Sequence, residues 1–320
     1  MDFVSLLQDT VAYKTVEEDA ACGRLSHAYL LLSADKDNLG EFLKVFAKLI
    51  AGKDERARSL IDGGVHPDVF TFPKKGDAML KEDVSALIEE SFLKPVEGDK
   101  KLFLIRGGES MNASSQNKLL KTLEEPPRGV HIIIGATSEY LLLSTLKSRA
   151  KRLTIPPFTA EKLFDALSVE CGDAEKLKKA IAAADGIVGK ALKLYGDENF
   201  SETLDLATAT ICDMRSSREV LRYSYKIAGL ADGAAEFVSV LGLLIRDLIA
   251  YNAGAKDSVF DKDALEKTRR AQGFNDGALI YAADRIAEAQ RRLNANGNPQ
   301  TVIEWLLFAI LEGKHKWQKL

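Results

Sequence analysis

Three cysteines are all that the 320 residues contain, at positions 22, 171 and 212. Far apart and odd in number, they form neither a disulfide framework nor a zinc module, and they suit a reducing compartment. Long apolar runs are missing too. None reaches the roughly 18 residues of a membrane span, and the opening MDFVSLLQDT lacks the basic and apolar regions of a secretory leader. Charge of one sign is also missing: 44 Lys and Arg stand against 47 Asp and Glu, a net of −3. No global positive field therefore advertises nucleic acid, and any DNA contact would come from a local patch or from partner chains. Histidine is scarce, with His27, His66, His131 and His315 scattered along the chain. Neither H-E-x-x-H nor G-x-S-x-G occurs, so metal- and serine-hydrolase readings find no support. A cytoplasmic protein of two to three domains is expected from these absences and from the length.

What is present divides into two halves. HAYLLLS (27–33), HPDVFTFP (66–73), KLFLIRGG (101–108) and HIIIGAT (131–137) are short and nearly all apolar. Helix-period segments lie between them: LGEFLKVFAKLIAG stopped at Gly52, and LKEDVSALIEESFLKP ended by Pro95. Runs of this kind separated by helices are what strands buried on both faces of a parallel sheet look like. Pro156 and Pro157 close the region, and the β signal ends there. Two short helical stretches follow, punctuated by Gly172, Gly186 and Gly189, and from about residue 200 every segment has helical spacing.

The stretch NASSQNKLLKTLEEPP (112–127) has a clear physical reading. Asn112 is a good N-cap. Gln116, Leu119, Leu120 and Leu123 fall at i, i+3, i+4 and i+7 and should face the sheet, with Lys118 and Lys121 in solvent. Pro126 and Pro127 stop the helix.

This helix, a strand and then LLLSTLKSRA resemble the AAA+ clamp-loader subunits of bacterial DNA polymerase III, and within that family the delta-prime branch. GRLSHAYLLLS near the start and RRLNANGNPQTVIEWLLFAIL near the end add to the resemblance. It implies a RecA-like AAA+ domain with a parallel sheet over 1–156, a small helical lid over 157–200 and a helical collar for oligomerisation over 201–320. The fold class is thus α/β followed by all-α.

The nucleotide motifs do not follow. A P-loop needs G-x-x-x-x-G-K-[ST], whose backbone cradles phosphates while Lys reaches the outer ones and the hydroxyl holds Mg²⁺. After the first strand stands SADKDNLG instead, from Ser33 to Gly40. Asn38 and Leu39 replace the Gly and Lys, Gly40 replaces the hydroxyl, and Asp35 and Asp37 bring negative charge. The acidic pair that should end KLFLI is replaced by Arg106, Gly107 and Gly108, with Glu109 the one acid. Many relatives also carry a four-cysteine zinc module before the His-Pro-Asp strand. That interval here holds no cysteine and only His66, so neither cofactor nor metal is expected.

The resemblance implies one surviving chemical group. Ser148 and Arg149 match the Ser-Arg of the family's Ser-Arg-Cys, and Ala150 departs from it. There the Arg reaches toward a neighbouring subunit's ATP, a task suited to a permanently charged planar fork. The plainer reading is an Arg at a helix end, on the C-terminal dipole. Lys190 stands where active relatives place a lid cation. Lys147, Arg149, Lys151 and Arg152 cluster, which suits a solvated strand entry better than a DNA contact. The implied role is a non-hydrolysing ring subunit with no catalysis of its own, beside tau/gamma-type ATPase and delta-type subunits. It would meet the sliding clamp and DNA through the complex. The alternatives, an ATP-hydrolysing subunit of the loader or a self-sufficient AAA+ ATPase, would need G-K-[ST] at 38–40.

Overall fold

A computed structural model of the chain describes residues 1–229, 233–255, 262–270 and 274–317. The first half runs α1 (Phe3–Leu7), α2 (Val11–Ala21), β1 (Ala28–Ser33), α3 (Leu39–Ala51), α4 (Glu55–Asp62), β2 (Val69–Phe72), α5 (Lys81–Ser91), β3 (Lys101–Ile105), α6 (Ala113–Glu124), β4 (Val130–Ala136), α7 (Ser144–Lys147), β5 (Lys151–Ile155) and α8 (Ala160–Leu167). Helices follow: α9 (Ala174–Ala183), α10 (Val188–Gly196), α11 (Phe200–Asp213), α12 (Ser217–Ala228), α13 (Gly233–Asn252), α14 (Lys262–Arg269), α15 (Asp276–Asn294) and α16 (Pro299–Trp317). Two compact units result. One is Met1–Ala174 with Asp185–Lys190; the other is Glu175–Ala184 with Ala191–Leu320.

The first unit is built on a five-stranded, all-parallel sheet in the order β2-β3-β4-β1-β5. Every residue of β1 and β3 is buried, as uninterrupted apolar runs require. One face packs Leu30, Phe103, Ile105, Ile132 and Ile134 against Leu119 and Leu123 of α6 and Val84 and Leu87 of α5. Leu39 and Leu43 of α3 lie against Gly135 of β4, where a Cβ would come within 3.1 Å of both side chains. The strand entry read at the basic cluster 147–152 leads into the fifth strand. KRLTI lies at the sheet edge, where Lys151, Arg152 and Thr154 point to solvent and only Leu153 and Ile155 turn inward. Such an edge gives a two-residue alternation instead of an apolar run.

Helix α6 forms as its spacing predicts. The Asn112 side chain accepts the N–H of Ser115 at 2.9 Å, and Leu119 and Leu123 are fully buried, each contributing about 2 kcal/mol. Gln116 is buried with them but serves a polar purpose. Its Nε2 donates to the carbonyls of Met111 and Leu141, both at 2.9 Å, and its Oε1 accepts the N–H of Leu143 at 2.8 Å. One side chain thereby fixes the loop that leads from β4 into α7.

Helix α5 ends at Ser91, four residues before Pro95. The reason lies beneath it. Lys101 is 1% exposed, and its ammonium donates to the carbonyls of Glu90 (3.1 Å) and Leu93 (3.3 Å) and to the Glu90 carboxylate (2.5 Å). Asp68, equally buried, accepts the N–H groups of Val96, Glu97 and Gly98 at 2.6, 2.8 and 3.2 Å. The two charges hold residues 90–98 in one shape, and Phe92, Leu93 and Val96 stand exposed on it.

The second unit is helical among its described residues. Phe237, Leu241, Leu244 and Ile245 of α13 pack with Leu279, Ala282 and Ile286 of α15 and with Ile303, Leu306, Leu307 and Ile310 of α16. Lys314 is buried and donates to the Met214 carbonyl at 3.0 Å, with the Phe274 ring below it, and burial lowers its pKa. Burial also pushes the Glu236 carboxyl up to about 7, with the Asp197 carboxyl against it as a second cause.

Candidate functional site

The loop between β1 and α3 is where a nucleotide's phosphates would be cradled, and the polar groups of Ser33, Asp35 and Asn38 are turned on each other. Leu39, at the place of the phosphate-binding lysine, is 2% exposed and belongs to the core under Gly135. Asp35 is 4% exposed. Its carboxylate accepts the backbone N–H of Asn38 at 3.1 Å, the Asn38 side-chain amide at 3.0 Å and the backbone N–H of Gly189 at 2.9 Å. Ser33 at the end of β1 accepts the Asp35 N–H through its hydroxyl at 3.2 Å. Asn38 occupies the N-cap of α3 without a side-chain capping bond, because its amide is committed to Asp35.

The second half of a nucleotide site is equally altered. Arg106 follows β3 and lies against the first turn of α3, so close that a Cβ on Gly40 would be 3.0 Å from its Cδ. Glu109, the one acid of that segment, accepts the N–H of Thr137 at 2.9 Å and the Thr137 hydroxyl at 2.5 Å. It joins the turn after β3 to the end of β4. Lys190 sits one residue beyond Gly189, with its ammonium 2.7 Å from Asp185. Among the described residues, no group of three or more His, Cys, Asp or Glu is placed to hold a metal. His66 is a turn residue whose Nδ1 accepts the Asp68 N–H at 3.1 Å.

Arg149 lies elsewhere on this unit, just past α7. Ser148 is the C-cap and donates its hydroxyl to the Thr145 carbonyl at 3.0 Å. Arg149 donates through Nη1 to the same carbonyl at 2.8 Å, and its Nη2 lies 2.5 Å from the carboxylate of Glu124, the last residue of α6. Its side chain remains one-third exposed. The rest of the basic cluster is occupied. Lys147 donates to the Glu139 carbonyl at 3.3 Å, Lys151 pairs with Asp19 at 2.6 Å, and Arg152 pairs with Glu139 at 3.2 Å.

The structure thus brings together Ser33, Asp35, Asn38, Leu39, Gly40, Arg106 and the 185–190 segment, and leaves Ser148 and Arg149 as a separate corner. Sequence reasoning missed the partner of Asp35, 154 residues away, and the Glu124 carboxylate beside Arg149. The acid in LEEPP was the available signal for the second.

Comparison with known proteins bears on the fold that carries this geometry. The family model described as "DNA polymerase III, delta subunit" matches residues 8–159. DNA polymerase III subunit delta' of Bacillus subtilis is 26% identical over 94% of this chain and 94% of its own length. Along nearly its whole length the chain is similar to a delta-prime subunit. Subunit delta' of Escherichia coli is similar to this delta-prime-like chain at 30% identity, over 48% of each. A DNA polymerase III gamma subunit-related protein of Thermotoga maritima shares its fold, with a TM-score of 0.51 and 16% identity over 93% of this chain and 99% of that one. The delta-prime-like chain, with its parallel five-stranded unit, accordingly has the fold of that protein, and the relatives it resembles are DNA polymerase III subunits. Among its described residues, no helix is long and apolar enough to cross a membrane.

Proposed function

We propose that this delta-prime-like subunit hydrolyses no ATP itself and supplies Arg149 in trans to the ATP of a neighbouring subunit in the loader ring. The observation that carries the first part is Leu39: the position that must present an ammonium to phosphates is an apolar side chain in the core. The loop also presents a buried carboxylate, Asp35, engaged by three donors, where phosphate oxygens would have to sit.

The second part rests on what Arg149 can do. The transferred phosphoryl group spreads negative charge over its outer oxygens as the bond to the leaving group breaks, and a guanidinium fork bridges two of them. Arg149 stands at the surface and is held by a carbonyl and one carboxylate. A neighbour's polyphosphate offers a larger charge than Glu124 and can take the fork over. The rest of the reading follows the family. Domains at 1–156, 157–200 and 201–320 act as AAA+ core, lid and collar, with other clamp-loader subunits, tau/gamma-type and delta-type, as ring partners in the cytoplasm. The collar would bind through surface such as Leu221 and Tyr225, one turn apart on α12 and both exposed. Sliding clamp and DNA are met through the complex.

Two measurements test this. Titration calorimetry of the isolated protein should show no ATP binding, and micromolar binding would overturn the closed loop. In the loader reconstituted with Arg149→Ala, the ring should assemble while its DNA- and clamp-stimulated ATP turnover falls. Unchanged turnover would reduce Arg149 to the capping residue of α7 and leave the subunit a purely structural member of the ring.

A further inference from the structure

Asp35 is an acid placed in the loop whose backbone would otherwise cradle a phosphate, and its third donor comes from far along the chain. Gly189 is the second residue of α10. Its amide is one of the first-turn N–H groups that a helix cannot satisfy internally, and an anion is the partner that a helix N-terminus favours. The fit is close. A Cβ on Gly189 would stand 2.7 Å from Oδ1 of Asp35, 2.9 Å from Cβ of Asp37 and 3.1 Å from Nδ2 of Asn38. The far side of the same segment is also tied down: the Phe158 N–H donates to the Gly186 carbonyl at 2.9 Å, and Gly186 has φ +78° with no room for a side chain against Phe158.

We infer that Asp35 is a built-in substitute for a nucleotide phosphate, whose carboxylate fastens segment 185–190 to the α/β unit with no nucleotide present. In a site that binds and releases ATP, an anion between the β1–α3 loop and this segment would come and go with the ligand. Here the anion is part of the chain, so the segment is held at all times. The same carboxylate fills the loop against any incoming phosphate. The inference deepens the reading of a closed nucleotide site and rests on it, but it is independent of what Arg149 does.

Hydrogen exchange on the full-length protein without nucleotide tests it, with the Gly189 amide as reporter and the amides of Ile132–Ile134 in β4 as internal control. Gly189 should be protected in the wild type. Asp35→Ala should speed its exchange by about tenfold or more, the scale of one hydrogen bond to a charged group, and leave β4 unchanged. Millimolar inorganic phosphate should then restore protection in Asp35→Ala and do nothing to the wild type. Asp35→Asn keeps the size and removes the charge, so it should show the same loss and the same rescue if the alanine variant folds poorly. Gly189→Ala should break the contact from the other side. An unprotected Gly189 in the wild type, or protection unchanged in both Asp35 variants, overturns the inference. So does a loss that phosphate fails to reverse, which makes Asp35 an ordinary turn residue. ATP binding by the wild type in calorimetry is a separate failure, of the closed-site reading, and is distinguishable because the exchange experiment contains no nucleotide.

Discussion

The β1–α3 loop and the Arg149 corner belong to one compact unit and face opposite fates. In the loop Ser33, Asp35 and Asn38 are spent inside: Asp35 takes three donors, and Ser33 and Asn38 both bond to Asp35. At the corner, Arg149 is one-third exposed and is held only by groups that lie at the surface. A surface ion pair of this kind is worth about 0–1 kcal/mol, so the guanidinium changes partner at little cost. The loop changes partner only by opening. On the proposed reading, the difference teaches that losing the capacity to use ATP and keeping the capacity to act on another subunit's ATP are separable, because the charges concerned sit on different elements.

The largest effect that could break this contrast is at Arg149. At the interface proposed for it, Arg149→Ala should slow phosphoryl transfer by about 10³ to 10⁵, and the whole ring by less, if its other sites keep their own arginines. Steady-state ATPase of the reconstituted loader reads this, beside a thermal melt that should move by no more than about 0.5 kcal/mol. Arg149→Lys should recover little, because a point charge lacks the fork. Next in size is Leu39→Lys. An ammonium placed in that core should cost about 3 kcal/mol without creating ATP binding. An unchanged melt together with micromolar binding would show the loop to be open.

A smaller effect separates the helical unit from both regions. Glu236 has a folded pKa of about 7 against an ordinary 4.5, so its contribution is complete below about 4.5 and is lost as pH rises through 7. Glu236→Gln stays neutral throughout. It should match the wild type in acid and gain stability across that window, by about 1 kcal/mol once solvent screening is allowed for. Melts at pH 4.5, 6 and 8 read it, and a gap that does not widen with pH refutes the assignment. The smallest change is expected from Glu124→Gln, under about 1 kcal/mol in the melt, with turnover of the loader undiminished. If turnover collapsed instead, Glu124 would be part of the working geometry of Arg149 and not a resting partner.

Much of this was legible in the sequence, for reasons that can be named. Strands β1, β3 and β4 announce themselves because strands covered on both faces are nearly all apolar, and β2, at the other sheet edge, still carries three apolar residues of four. Strand β5 shows only its basic, solvated entry, because at the sheet edge three of its five residues are solvated. The missing lysine at 39 and the Ser148–Arg149 pair are one-dimensional features and were read directly. The occupant of the closed loop was not readable, since Asp35 looks merely unfavourable to phosphate until Gly189 arrives from 154 residues away. Gln116 shows the same limit in reverse. Its spacing placed it correctly on the buried face, while its bonds to Met111, Leu141 and Leu143 depend on a loop whose path no periodicity encodes.

Lys101 gives the length of α5 an unexpected author. The apolar rhythm of the segment runs on to Pro95, and a proline is the usual full stop, yet the helix closes at Ser91 because an ammonium from the neighbouring strand claims the Glu90 and Leu93 carbonyls. A helix boundary is therefore written by a residue outside the helix. Phe92 keeps right-handed helical backbone as the cap, and Leu93 follows it with its carbonyl on the ammonium. A single buried cation thus anchors from below the turn that holds two large apolar side chains in water.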